Sequence, residues 1–210
     1  MPPVGKIETP EESHVQAVRV VVHRTDATVD GRSVNHWVTY LHTEEGYVVK
    51  MNMREKTGTE WPHILFRDAQ YGEPGKLDIS SFDSDIVTPS MIKSWELPCV
   101  GRPQVKDFIN TLIRNHRGYY TMAIGGSGCR YWVYTAINDF ETQGYLTPGT
   151  TAFVQERLAG WYTRRSDLAR SVVRDPAPPM PQGKFWDPAE WEEEFRRYDP
   201  FAPSSDLWLQ

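Results

Sequence analysis

The 210-residue chain, with 39% hydrophobic and 24% charged residues and a net charge of -5, is long enough for one globular domain with an appended tail. A chain of this size buries a core without needing disulfides or a metal, which excludes the disordered and small-scaffold classes. Lys and Arg scattered singly on an acidic background leave no electrostatic footprint for nucleic acid or an anionic membrane, and no run approaches the roughly 18 to 20 apolar residues of a bilayer span. The polar start MPPVGKIETPEESH lacks the pattern of a secretory signal, so the expected location is the cytoplasm, where Cys99 and Cys129 stay reduced.

In chain order, residues 1–14 read as a flexible leader, 15–174 as one α+β domain, and 175–210 as a proline- and aromatic-rich tail. Val15 to Arg24 is rich in β-branched residues and predicts a buried strand, closed by the turn cluster TDATVDGRS. Asn35 to His42 and Gly46 to Met53 predict a hairpin around TEEG. Residues 54–90 predict two short strands among long loops, and Met91 to Pro98 one more strand.

Helices are expected at about 103–116, 129–143 and 151–162. Val105, Phe108, Ile109, Leu112 and Ile113 carry the apolar spacing of the first; Trp132, Val133, Ala136, Ile137 and Phe140 that of the second; Phe153, Val154, Leu158 and Trp161 that of the third. Tyr119 to Ile124 predicts a short extended entry to the GGSG loop. In the tail, Asp187 caps a short helix with Pro188 at its first position, and its aromatic residues predict docking on the domain or on a second protomer as a homodimer. Strands precede helices, so the fold class is α+β: an antiparallel sheet from the N-terminal half packed by about three helices.

Cys129 follows GGSG at the first turn of a predicted helix, where free backbone N–H groups and the helix dipole favour the thiolate. Gly126 and Gly128 bring backbone close enough to donate to an oxyanion, and Arg130 adds positive potential. A thiolate mechanism needs a base, and His36 in NHW supplies one, with Asn52 as the amide that orients the imidazole. The order His36, Asn52, Cys129 is circularly permuted relative to papain. His42, on the same strand face as His36, is a second candidate for base or orienter. If the hairpin pairs His42 with Tyr47, Asn52 points away from His36, and a one-residue change of register restores the match. Against this stands the bland reading: an inward-facing cysteine is more often a small buried hydrophobe.

The runs NHWVTYL, GYVVKMNM, SWELP, GGSGCRYWVYTAINDFETQGYL and PPMPQGKFW together resemble a widespread family of small fungal proteins of unknown function. The resemblance spans roughly Val15 to Trp186, and GGSGCRYWVYT is its most specific part. It implies a fungal, cytosolic protein, with some members among secondary-metabolism genes, and names no reaction. A more distant similarity is to the permuted papain-like folds of the lecithin:retinol acyltransferase and deSUMOylating-peptidase group. From it only His36 and Cys129 carry over.

Three functions are therefore weighed. The first is a thiol-dependent enzyme of acyl transfer or of amide or ester hydrolysis, acting on a small-molecule or acyl substrate without a cofactor. The second is a non-covalent cyclase or isomerase with an aromatic pocket of Trp37, Tyr40, Trp132 and Tyr134. The third is a binding or dimerisation module in which NHW and GCRYW only pack the core. The scattered His23, His63 and His116 show no metal-ligand spacing, and GGSG lacks the Lys of a phosphate loop.

Overall fold

The computed structural model describes residues 10–29, 32–55, 72–85, 88–123, 128–164, 172–177 and 179–198. Five strands, β1 (Val15–Val29), β2 (Arg32–Thr43), β3 (Val48–Glu55), β4 (Gly75–Phe82) and β5 (Met91–Pro98), form one sheet in the order β4-β3-β2-β1-β5, and every pairing is antiparallel. β1 sits between β2 and β5, and both its faces are covered: Val18, Val20 and Val22 enter the main core while Val21 joins Val38, Tyr40 and Val48 on the opposite face. An uninterrupted VVV run is what such a doubly covered strand requires.

The main core lies between the first face and α1 (Val105–Arg114), α2 (Cys129–Thr142) and α3 (Thr150–Leu158). Trp37 stacks on Trp95 with ring centroids 5.7 Å apart, and Tyr162 meets both rings edge-on. Such aromatic pairs contribute about 0.5 to 1.5 kcal/mol each beyond the area they bury. On α1, Asp107 accepts a 2.7 Å hydrogen bond from the Gln104 backbone N–H, closing a capping box. Glu141, near the end of α2, accepts from the backbone N–H groups of Gly149 and Thr151 and so caps α3. The negative charge is favourable at that positive helix end and is held below the usual carboxylate range by these donors.

Two details depart from the sequence reading. The third helix stops at Leu158, and Trp161 belongs to strand β7 (Gly160–Arg164), paired with β8 (Val172–Pro176). Gly160 packs against the Arg174 side chain so closely that a Cβ would lie 2.6 Å from its Nε, and the β-prone WYTR run then finds a partner strand in the segment opening the tail. Ile113 and Phe153 are exposed rather than core; the Arg157 guanidinium covers the Phe153 ring at 3.6 Å. Of the two strands expected in residues 54–90, β4 is seen, and residues 56–71 lie outside the described residues.

The tail docks on its own domain. β6 (Tyr120–Thr121) pairs with β9 (Lys184–Phe185), the Trp186 N–H donates to the Tyr119 carbonyl at 3.0 Å, and Trp191 on α4 (Pro188–Tyr198) is buried against Tyr119 and Trp186. No helix among the described residues is long and apolar enough to cross a membrane.

Candidate active site

β2 has β1 along one edge and β3 along only part of the other. Its C-terminal part pairs with β3 from His42 opposite Val48 to Thr39 opposite Met51; toward its N-terminus β2 continues along β1 alone among the described strands, while β3 continues along β4. Past Thr39 the ladder between β2 and β3 has ended, and α2 touches both strands. Into this parting comes Cys129, the first residue of α2, 7% exposed.

Pairing His42 with Val48 instead of Tyr47 is a shift of one residue, and side chains alternate with period two. Asn52 and His36 therefore share a face. The Asn52 Oδ1 lies 2.7 Å from His36 Nε2, which donates to it. With Nε2 so engaged, Nδ1 is the nitrogen left to face the Cys129 thiol, whose interaction raises the imidazole. The Trp37 backbone N–H also acts on that sulfur and favours its thiolate.

Burial on its own drives a histidine and a thiol toward their neutral forms. Here it is outweighed. His36 is held above the ordinary histidine value by its hydrogen bond to Cys129, the charge there, and Asn52; Cys129 is held below the ordinary thiol value by the His36 hydrogen bond and charge, the Trp37 N–H and the Arg130 guanidinium. Arg130 is itself fixed by donating to the Leu158 carbonyl at 3.1 Å. The pair thus favours thiolate and imidazolium together.

The helix start is shaped by Gly128, the N-cap residue of α2, at a left-handed φ of 117°. A Cβ there would stand 2.9 Å from the Tyr120 hydroxyl and 3.1 Å from the Ala123 nitrogen, so conformation and space both select glycine. The first-turn N–H groups of α2 have no partner within the helix and lie beside the thiol, where an oxyanion would form. Gly126 lies outside the described residues.

The remaining residues fall elsewhere. His42 is six residues from His36, roughly 20 Å along the strand. It sits among Arg19, Asp85 and Glu96, with burial pushing it below the ordinary histidine value. Trp37 and Trp132 are buried in the main core, against which Tyr134 also packs, while Tyr40 lies on the opposite sheet face. Two partners went unnoticed in the sequence. His23 stands directly opposite His36 across β1 and β2, 3.1 Å from the Ser90 hydroxyl and 3.3 Å from that of Tyr40, and is kept neutral by burial at a pKa of about 4. Tyr120 reaches Gly128 from β6. The alternation of β1 offered a signal for His23 once the register was known; nothing in the YYT run marked Tyr120.

Fold and geometry together define an α+β protein with a cysteine, a histidine and an asparagine joined at a helix start. The chain belongs to the family described as Domain of unknown function (DUF7770), whose model matches residues 18–186. No curated protein and no solved structure matches it.

Proposed function

We propose that the protein is a thiol-dependent enzyme of acyl transfer, or of amide or ester hydrolysis, with Cys129 as nucleophile, His36 as base and acid, and Asn52 as the group orienting the imidazole. One observation carries this reading: a single imidazole held 2.7 Å from the Asn52 amide oxygen and set against a thiol that it lowers and that raises it in turn. The thiolate sulfur adds to a carbonyl carbon, and the carbonyl electron pair moves to the oxygen, which the α2 first-turn N–H groups receive. Collapse expels the leaving amine, alcohol or thiol, which takes the proton from His36. Neutral His36 then removes a proton from water or another acceptor, which attacks the thioester and releases Cys129.

The order His36, Asn52, Cys129 is papain's set of groups in permuted sequence. The substrate proposed is a small-molecule or acyl compound in the cytoplasm, and the resemblance to fungal proteins names no reaction. The place of Tyr40, on the sheet face opposite Trp37, Trp132 and Tyr134, argues against the single aromatic pocket of the cyclase reading.

The test is the rate of Cys129 alkylation by iodoacetamide against pH, read by intact mass with Cys99→Ser to remove the other thiol. A thiolate titrating well below about 8.5 supports the proposal and justifies trapping acyl adducts. An inert Cys129 in folded protein sinks it.

A further inference from the structure

The Tyr120 side chain is fully buried, and its hydroxyl joins two backbone segments far apart in sequence. It donates to the Gly128 carbonyl at 2.9 Å and accepts from the Gly183 N–H at 3.0 Å. The Gly128 carbonyl also receives the Trp132 N–H at 3.1 Å, the first bond of α2. Contact on the far side is equally close: a Cβ at Gly183 would lie 2.1 Å from the Thr121 carbonyl oxygen and 2.4 Å from the Tyr120 hydroxyl. Phe185, paired with Tyr120 across β6 and β9, packs its ring 4.6 Å from the tyrosine ring. The segment around Gly183 is thus fitted to the one residue that precedes the nucleophile.

We propose that Tyr120 is a positioning residue of the Cys129 site and that the Gly183 segment is part of that site: the hydroxyl holds Gly128 in its left-handed conformation, which aims the sulfur at His36 and the Trp37 N–H. A buried hydroxyl with both of its bonds to backbone at a helix cap does nothing for the sheet core that a phenylalanine ring would not do. Its two bonds act on the direction in which α2 starts. This inference rests on the thiol-enzyme reading.

The experiment compares Cys129 alkylation against pH in the full chain, wild type and Tyr120→Phe. Cys99, half-buried and pushed up to about 12 by burial, is the internal reporter of unfolding, since a loosened fold would make it reactive as well. The expected result is an upward move of the Cys129 profile by about one pH unit, roughly a tenfold slower reaction at pH 6, with Cys99 still slow. Gly183→Ala keeps the hydroxyl but drives the segment off it, because the added Cβ would collide with it and with the Thr121 carbonyl, and the same direction of change is expected; with Cys99 still slow, this variant decides the matter should Tyr120→Phe not fold. A depressed wild-type profile left unmoved by both substitutions overturns the positioning role alone. An ordinary profile in the wild type overturns the thiol reading and this inference with it.

Discussion

The backbone N–H of Trp37 lies against Cys129 where β2 and β3 part and favours its thiolate, so a strand edge lends to a helix start a donor that a neighbouring strand would otherwise take. A thiolate placed there has a donor that cannot lose its proton and does not depend on pH. Its remaining stabilisation comes from an imidazole, which does. That division sets what substitutions at the site should do.

His36→Ala removes the proton acceptor and leaves the thiol buried. Its alkylation profile should move up to or above the ordinary thiol range, and turnover of any substrate found should fall by about 100-fold or more. Asn52→Ala keeps the base and loses its orientation, so the expected loss is smaller, of order tenfold, with the profile moved in the same direction. Equal reactivity of His36→Ala and wild type at pH 6 would contradict the pairing.

The pH dependence of activity follows from the opposite shifts of the two groups. Free in water, an imidazolium titrates near 6.5 and a thiol near 8.5, so at pH 7 both would be neutral. In the site the thiol is lowered and the imidazole raised. Activity should begin to rise with pH below the ordinary thiol range and fall as His36 loses its proton above 6.5. A rate that only climbs between pH 6 and 9 would show an ordinary thiol.

His23 makes the fold acid-sensitive. Its folded pKa of about 4 lies below the unfolded value of about 6.5, so the unfolded chain binds a proton the folded one refuses. Stability is unaffected above 6.5 and is lost as pH falls from 6.5 toward 4. At pH 5 the contribution is about 2 kcal/mol. The drop in urea midpoint between pH 7 and pH 5 should shrink in His23→Gln; an equal drop in both proteins would remove His23 from the account.

Asp139, buried on α2, is gripped by Arg117 through bonds of 2.6 and 2.9 Å, and the Arg117 carbonyl in turn receives the Trp132 indole N–H at 2.8 Å. Asp139→Ala strands a half-buried guanidinium that also covers the Phe185 ring. The expected cost is about 3 kcal/mol, a fall in Tm of roughly 6 to 12 °C by calorimetry for a chain of this size. A fall under 2 °C would mean that Arg117 finds another partner at no cost.

The sheet and helices were legible because their signals are local. Val20 to Val22 announce a covered strand, and Phe108 with Leu112 an inward helix face. The helix start at Cys129 was legible too, since a glycine loop before an apolar period is a start signal. Whether Asn52 meets His36 was not, because parity depends on one residue of register and the TEEG turn admits more than one. Trp161 was misplaced in a helix because its period matched, while its partner strand β8 lies in a segment whose prolines hid it. The Trp37 and Tyr120 contributions are backbone and long-range contacts, for which side-chain patterns carry no code.

The parting of β2 from β3 has one more effect. A strand edge without a neighbour is a template for pairing with another chain. Among the described residues between Arg32 and Val38, α2 comes up to β2 at Cys129, and the Asn35 side chain ties β7 to the strand through two hydrogen bonds with the Tyr162 backbone. The same contacts that would prepare the thiol therefore guard the chain against self-association. Variants that push the start of α2 away from β2 should precipitate on standing, even where the remainder of the fold survives.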